Sequence, residues 1–194
     1  MTARVIFICH ASTDAVRQSA FPADEPLDSI GKREAAALAG SVPHADQIRS
    51  SPELRARQTA RVLGLNAAVE PALRDCDYGS WSGQNFDDIS AKEPDAVAAW
   101  LRDPAAAPHG GESLRTFMQR VATWLAGELS QHRRSIVVTH AAVIRAAIVH
   151  AIEATPQSFW RIDVAPLSCT LLSGSESRWN LVSSGCSMSD DKHK

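Results

Sequence analysis

Two short apolar runs stand out from the hydrophobic pattern of the chain. Val5-Ile6-Phe7-Ile8-Cys9 contains no charged or strongly polar residue and breaks off at His10; Ile136-Val137-Val138, flanked by Ser135 and Thr139, breaks off at His140. Apolar runs of this length without alternation suit strands covered on both faces. In an open α/β sheet the ligand crevice lies beyond the carboxyl ends of the parallel strands. The two histidines, from opposite ends of the sequence, are therefore expected to meet at one small polar site.

Between these runs the pattern predicts alternating helices and strands. Residues 14–26, with two prolines and no periodicity, read as a functional loop whose basic member is Arg17. A helix is predicted over 27–38, capped by Asp28 or Ser29, and a weak strand over 47–50. Ser51-Pro52-Glu53 reads as a helix start, with a hydroxyl cap, a first-turn proline and an acid at the positive end. That helix should run to about Leu63 and carry Arg55 in its first turn, where a guanidinium forks toward an anion; Arg57 and Arg61 read as a solvated face. A short strand at 68–70 and helices at 85–90 and 94–101 follow, then a loop at 104–111.

Glu112-Ser113 opens a long amphipathic helix with Leu114, Phe117, Met118, Val121, Leu125 and Leu129 on one stripe, ending near His132. Residues 141–152 are mostly apolar and predict a buried helix, in which Arg145 reads as a structural ion-pair partner. Strand character recurs at 162–164, 169–173 and 178–183, with Gly174-Ser175-Glu176 as a hairpin turn. The polar residues 187–194 read as a disordered tail, leaving 1–186 as one domain.

Composition narrows the class. A chain of 194 residues, 44% hydrophobic and 22% charged, suits one globular α/β domain. A net charge of -2 and a pI near 6.4 supply no basic field for nucleic acid or an anionic membrane surface. Cys9, Cys76, Cys169 and Cys186 form no Cys-x-x-Cys pair, and no apolar run approaches a membrane span or a signal-peptide core. These features point to a cytoplasmic protein. They also offer no cluster with metal-ligand spacing, so neither a metal nor another cofactor is expected.

Five blocks in fixed order carry a further signal. They are Cys9-His10-Ala11-Ser12-Thr13, Ser50-Ser51-Pro52-Glu53-Leu54-Arg55-Ala56-Arg57-Gln58-Thr59-Ala60, Leu73-Arg74-Asp75-Cys76-Asp77-Tyr78-Gly79-Ser80-Trp81, Gly110-Gly111-Glu112-Ser113 and Val138-Thr139-His140-Ala141. Together they resemble the histidine phosphatase superfamily, also called the phosphoglycerate mutase-like family. The resemblance implies a three-layer α/β/α sandwich with a mostly parallel central sheet and an antiparallel edge. It implies that His10 is the nucleophile that becomes phosphorylated, that His140 holds the phosphoryl oxygens and that Arg55 clamps the phosphate. Asp75 takes the place of the general acid, usually Glu in the family, with Asp77 as the fallback. Cys9, Ala11, Ser12, Arg17 and Ala141 are expected to line the pocket; His109 reads as a surface or core residue, with the pocket mouth as its alternative place.

The residue types suit the chemistry. A neutral imidazole attacking phosphorus divides one hard step into two. Cations and helix N-terminal amides meet the oxygen charge, and a carboxyl kept protonated by its setting serves the leaving alcohol. The expected activity is metal-free hydrolysis of a small phosphate monoester, with a homodimer left open. A phosphoglycerate mutase fits less well, because family mutases usually carry a longer insertion than the one between Gly83 and Gly110.

The family motif Arg-His-Gly is Cys9-His10-Ala11 in this chain, so the first phosphate-binding arginine is absent. A charge-assisted hydrogen bond is worth about 1.5 to 3 kcal/mol, so its loss weakens phosphate affinity or rate about 10- to 100-fold unless compensated. Three readings address this. Arg17 swings in to restore a cation; Cys9 is itself the nucleophile; or the pocket has lost most turnover and binds a ligand or protein. The second fails on spacing, because the arginine of a Cys-x5-Arg motif would fall on Ala15. Ala11 and Ala141 each add a methyl where the family has glycine. The five tryptophans read as packing, with Trp81, beside the acid-bearing loop, as the first candidate for an exception.

Overall fold

The computed structural model describes residues 2–175 and 178–188. Strand β1 (Ala3–Cys9) is covered on both faces, as its unbroken apolar run predicts. It pairs in parallel with β4 (Arg134–Thr139) and antiparallel with β5 (Ser168–Ser175). Beyond β4 lie β2 (Gln47–Ser50) and the short edge strand β3 (Ala68–Val69), both parallel; beyond β5 lies the antiparallel β6 (Arg178–Ser187). The order across the sheet is β3-β2-β4-β1-β5-β6.

Alternation along β1 sorts the core into two layers. Val5, Phe7 and Cys9 point to one face with Val137, and are covered by α6 (Leu114–Leu129) and α7 (Ala141–Ala151) through Phe117, Val121, Leu125, Val143 and Ile144. Ile6 and Ile8 point to the other with Ile136 and Val138, under α2 (Ser29–Ala37) and α3 (Leu54–Val62) through Ala35, Ala56 and Ala60. This is the three-layer α/β/α sandwich expected. A third, smaller cluster of Phe21, Trp81, Ile89, Val97 and Trp100 seats α4 (Phe86–Lys92) and α5 (Pro94–Arg102). Among the described residues, no helix is long and apolar enough to cross a membrane.

Several elements differ from expectation, each for a local reason. The stretch read as a loop at 14–26 begins with a single helical turn, α1 (Asp14–Arg17), capped by Thr13 Oγ1 accepting from Val16 N at 3.3 Å. Asp28, not Ser29, caps α2, its carboxylate accepting from Gly31 N at 2.6 Å. Helix α3 begins at Leu54, and Ser51 does not cap it, because its hydroxyl is drawn to His140; Leu54 N donates instead to Asp24 Oδ1 at 2.6 Å. Residues 162–164 form no strand. They follow a 3-10 turn, Pro156–Arg161, and Ile162 O is taken by Arg145. At the far end β6 runs to Ser187 and Met188 is buried in the second core layer, so the ordered chain passes the boundary placed at 186. Glu176 of the expected hairpin turn, and positions 189–194 of the expected tail, lie outside the described residues.

The loop after β3 is held by close backbone contact. Glu112 N donates to Asp77 O at 2.8 Å and Ser80 N to His109 O at 2.9 Å. A Cβ at Gly111 would overlap the Asp77 carbonyl, whereas Gly127 in α6 faces open space. Gly111→Ala is expected to destabilise the fold by about 1–3 kcal/mol through this overlap. Gly127→Ala is expected to stabilise it by about 0.5–1 kcal/mol by restoring helix propensity. Urea unfolding of both variants checks the pair.

Candidate active site

His10 leaves the sheet at the carboxyl end of β1 and is 6% exposed. Its Nδ1 lies 2.8 Å from Ala11 O. A carbonyl only accepts, so Nδ1 carries the hydrogen and Nε2 keeps its lone pair. The turn is fixed from α3: Ala11 N donates to Thr59 Oγ1 at 3.0 Å, and that hydroxyl donates to Arg55 O at 2.8 Å. Burial first, then the nearby charges of His140 and Arg55, push the His10 pKa down to about 3. The imidazole is therefore neutral at neutral pH.

His140 ends β4, and its ring lies 5.3 Å from that of His10, centroid to centroid. Its Nε2 sits 2.6 Å from Ser51 Oγ and 2.9 Å from Glu53 Oε2. Its Nδ1 is buried with no hydrogen bond, 3.5 Å from Asp75 Oδ2. Arg55 is 1% exposed; Nη2 donates to Asp75 Oδ2 at 2.7 Å and Nη1 to Ala23 O at 2.6 Å, while Nε is buried and unpartnered. Two buried nitrogens of this cluster, Arg55 Nε and His140 Nδ1, therefore lack a hydrogen-bond partner, a state that costs about 1–3 kcal/mol each; an anion would supply the acceptor that Arg55 Nε lacks.

These four side chains open on a cavity of about 430 Å³, with Ala141 and Ala142 of the α7 N-terminus in its wall. Val16, Phe21, Tyr78 and Phe86 give it an apolar mouth. Asp75 is not kept protonated, contrary to expectation. Burial pushes its pKa up, but the charges of His140 and Arg55 and the Cys76 amide outweigh this and hold it below the ordinary carboxylate value. Among the described residues, no three His, Cys, Asp or Glu side chains are grouped to hold a metal ion.

The model of the histidine phosphatase superfamily (branch 1) matches residues 5–187. The chain belongs to the histidine phosphatase superfamily. A bifunctional protein of Mycobacterium tuberculosis is 28% identical over 178 residues, 85% of this chain and 49% of that protein, so the chain spans about half the length of that relative. Phosphoserine phosphatase 1 of Hydrogenobacter thermophilus is 30% identical over 146 residues, 71% of this chain and 69% of that one. A mycobacterial glucosyl-3-phosphoglycerate phosphatase solved with VO3 matches at TM-score 0.82 and 29% identity, covering 95% of this chain and 100% of that one.

Within this histidine phosphatase fold, four of the expected pocket residues lie elsewhere. Cys9 belongs to the α6/α7 face of the sheet, where burial first, and then Asp75, push its thiol up to about 12. Ala11 packs on the opposite face, and Ser12 Oγ donates to Asp28 Oδ2 at 3.0 Å. Arg17 does not swing in: it pairs with Asp28 at 3.2 Å and Asp14 at 3.4 Å. His109 is buried against Trp81, its Nδ1 accepting from Gly111 N, and Trp81 is itself fully buried packing. Asp77 accepts from Gly79 N and faces away from the cavity of the histidines.

Arg145 departs from its expected role. It makes no ion pair among the described residues: Nε donates to Ile162 O at 2.7 Å, the guanidinium lies over the Phe159 ring, and the side chain lines the histidine cavity. Sequence reasoning also missed Arg120. From α6 it grips Glu112 with two hydrogen bonds, 3.0 and 2.7 Å, and donates to the carbonyls of Ala72, Arg74 and Asp75. Glu112 of the Gly-Gly-Glu-Ser block thus anchors the loop that carries Asp75.

The depressed His10 pKa predicts a pH-dependent stability. Between about 3 and the unfolded value of 6.5, the unfolded chain binds a proton that the native state refuses, so stability rises with pH across this window and levels off above it. His10→Gln should reduce that slope by up to about 1.4 kcal/mol per pH unit. Urea unfolding of both proteins at pH 4.5 to 7 measures it.

Proposed function

We propose that this protein hydrolyses a small phosphate monoester through a phosphohistidine on His10. The observation that carries the reading is the set of charges around one lone pair. Neutral His10 Nε2 shares its cavity with Arg55, His140 and Asp75, and Arg55 and His140 each hold a buried nitrogen without a hydrogen bond. The relatives' names, a phosphoserine phosphatase and a glucosyl-3-phosphoglycerate phosphatase, support the same class of reaction.

The phosphoryl oxygens accept from Arg55 and His140 and face the N-terminal dipole of α7. His10 Nε2 donates its pair to phosphorus, the bond from phosphorus to the ester oxygen breaks, and the departing oxygen takes a proton from Asp75. Asp75 is ionised in the free site and takes up a proton from solvent as the substrate binds. The incoming dianion engages Arg55 and His140, withdraws their charge from Asp75 and adds its own, and the carboxyl pKa rises. In the second step water gives its proton to Asp75 and its oxygen to phosphorus. The bond from phosphorus to Nε2 breaks, and phosphate leaves. Restricted metal-free chemistry of this kind leaves the alcohol to be chosen by the mouth, where Phe21, Phe86 and Tyr78 lie beside Arg145.

A second reading, an impaired member that binds an anion or a partner without turnover, is favoured by one observation: no arginine stands at position 9. Turnover of p-nitrophenyl phosphate separates the two. Native activity is expected, with a phosphoryl label that is stable to base and lost in acid; His10→Ala should lose the label and about 10³-fold or more in rate. Asp75→Asn should lose about 10²- to 10⁴-fold on an alkyl phosphate but less on p-nitrophenyl phosphate, whose leaving group needs no proton. Absent native turnover with intact vanadate binding would establish the impaired reading instead.

A further inference from the structure

One carboxylate behind the cavity takes no part in the steps above. Glu53 stands at the N-cap position of α3, yet its side chain makes no capping bond there. Its Oε2 faces His140 Nε2 at 2.9 Å and accepts from Ser51 Oγ, and its Oε1 accepts from Asp75 N at 3.2 Å. Burial works against its ionisation, but the hydrogen bond and charge of His140 and the Ser51 hydroxyl outweigh it and hold its pKa at about 2. As an ionised carboxylate it only accepts, so His140 Nε2 must carry hydrogen.

The other ring nitrogen faces the opposite way. His140 Nδ1 is buried, makes no hydrogen bond, and lies 3.5 Å from Asp75 Oδ2 on the cavity side. A phosphoryl oxygen at that nitrogen also only accepts, so Nδ1 must carry hydrogen too. A neutral ring would aim a lone pair at one of the two anions. The charged and titratable groups around the ring are His10 from the end of β1, Arg55 and Glu53 from the α3 segment and Asp75 from the loop after β3, with Glu25, Tyr78 and Arg145 in the wall of the same cavity.

We propose that Glu53 is a positioning residue that holds His140 as a doubly protonated imidazolium, supplying the phosphate site with the second cation that position 9 lacks. The same carboxylate ties the amide of Asp75, so one side chain sets both the phosphate-binding ring and the loop of the acid. This rests on the reading of the cavity as a phosphoryl site. It does not rest on turnover.

The test is ¹⁵N NMR of histidine-labelled protein at neutral pH, alone and with saturating inorganic phosphate, alongside vanadate titration. The phosphate-bound native protein should show both ring nitrogens of His140 protonated. Glu53→Gln, nearly the same shape without the charge, should show a neutral single tautomer, bind vanadate about 10- to 100-fold more weakly, and recover affinity as the pH is lowered toward 5.5. A purely structural role would leave the ring signals and that pH dependence unmoved. A neutral His140 in the phosphate-bound native protein overturns the proposal without any variant. So does Glu53→Gln with native ring signals and native vanadate affinity. A native protein that binds phosphate to an imidazolium yet turns nothing over would sink the phosphatase reading and leave this one standing.

Discussion

The register between β1 and β4 is the constraint on which the site depends. Cys9 pairs with Thr139 at the last step of both strands, and His10 N closes the ladder onto Thr139 O at 2.8 Å. Both strands run in the same direction and end at the same level, so the two histidines leave the sheet side by side. A slip of one residue would turn every side chain of β1 to the opposite layer. The exchange would bring Val5, Phe7 and Cys9 under α2 and α3, and the tight packing of Ala35, Ala56 and Ala60 there leaves no room for it.

Once the histidines are adjacent, their surroundings divide the labour between them. His10 is enclosed, gives its Nδ1 hydrogen to a neutral carbonyl and stays uncharged. His140 faces two carboxylates, Glu53 and Asp75. The same ring thus meets a neutral acceptor at one position and anionic ones at the other. Arg55 completes the arrangement because α3 starts at Leu54, one residue earlier, which directs its guanidinium between Asp75 and Glu25.

Much of this was legible in the chain. Unbroken apolar runs identified β1 and β4, and the histidines at their ends were sufficient to expect convergence. Arg55, Asp75 and Ala141 were read from motif positions, and all three line the cavity. What escaped was set by tertiary contact. Nothing local distinguishes Ser51 and Glu53 from an ordinary helix start until His140 arrives from the far end of the sequence to draw the hydroxyl away. Arg145 read as an ion-pair partner because it lies in an apolar helix, yet its donor goes to a main-chain carbonyl. Cys9 was assigned to the pocket by its neighbour, while strand alternation sends it into the core with Val5 and Phe7.

The aromatic cluster under α4 and α5 has a consequence of its own. Phe21, Trp81 and Trp100 pack on one another at centroid distances of 5.3 to 5.7 Å, and Trp160, 4.5 Å from Trp100 and 4.9 Å from Phe159, joins this cluster to the layer under α6 and α7. The wall of the cavity that carries Phe21, Tyr78 and Phe86 thus belongs to a small cluster tied to the sheet through Trp160. Substitutions within that cluster can reshape this wall while the register of β1 and β4 that sets the two histidines side by side stays as it is.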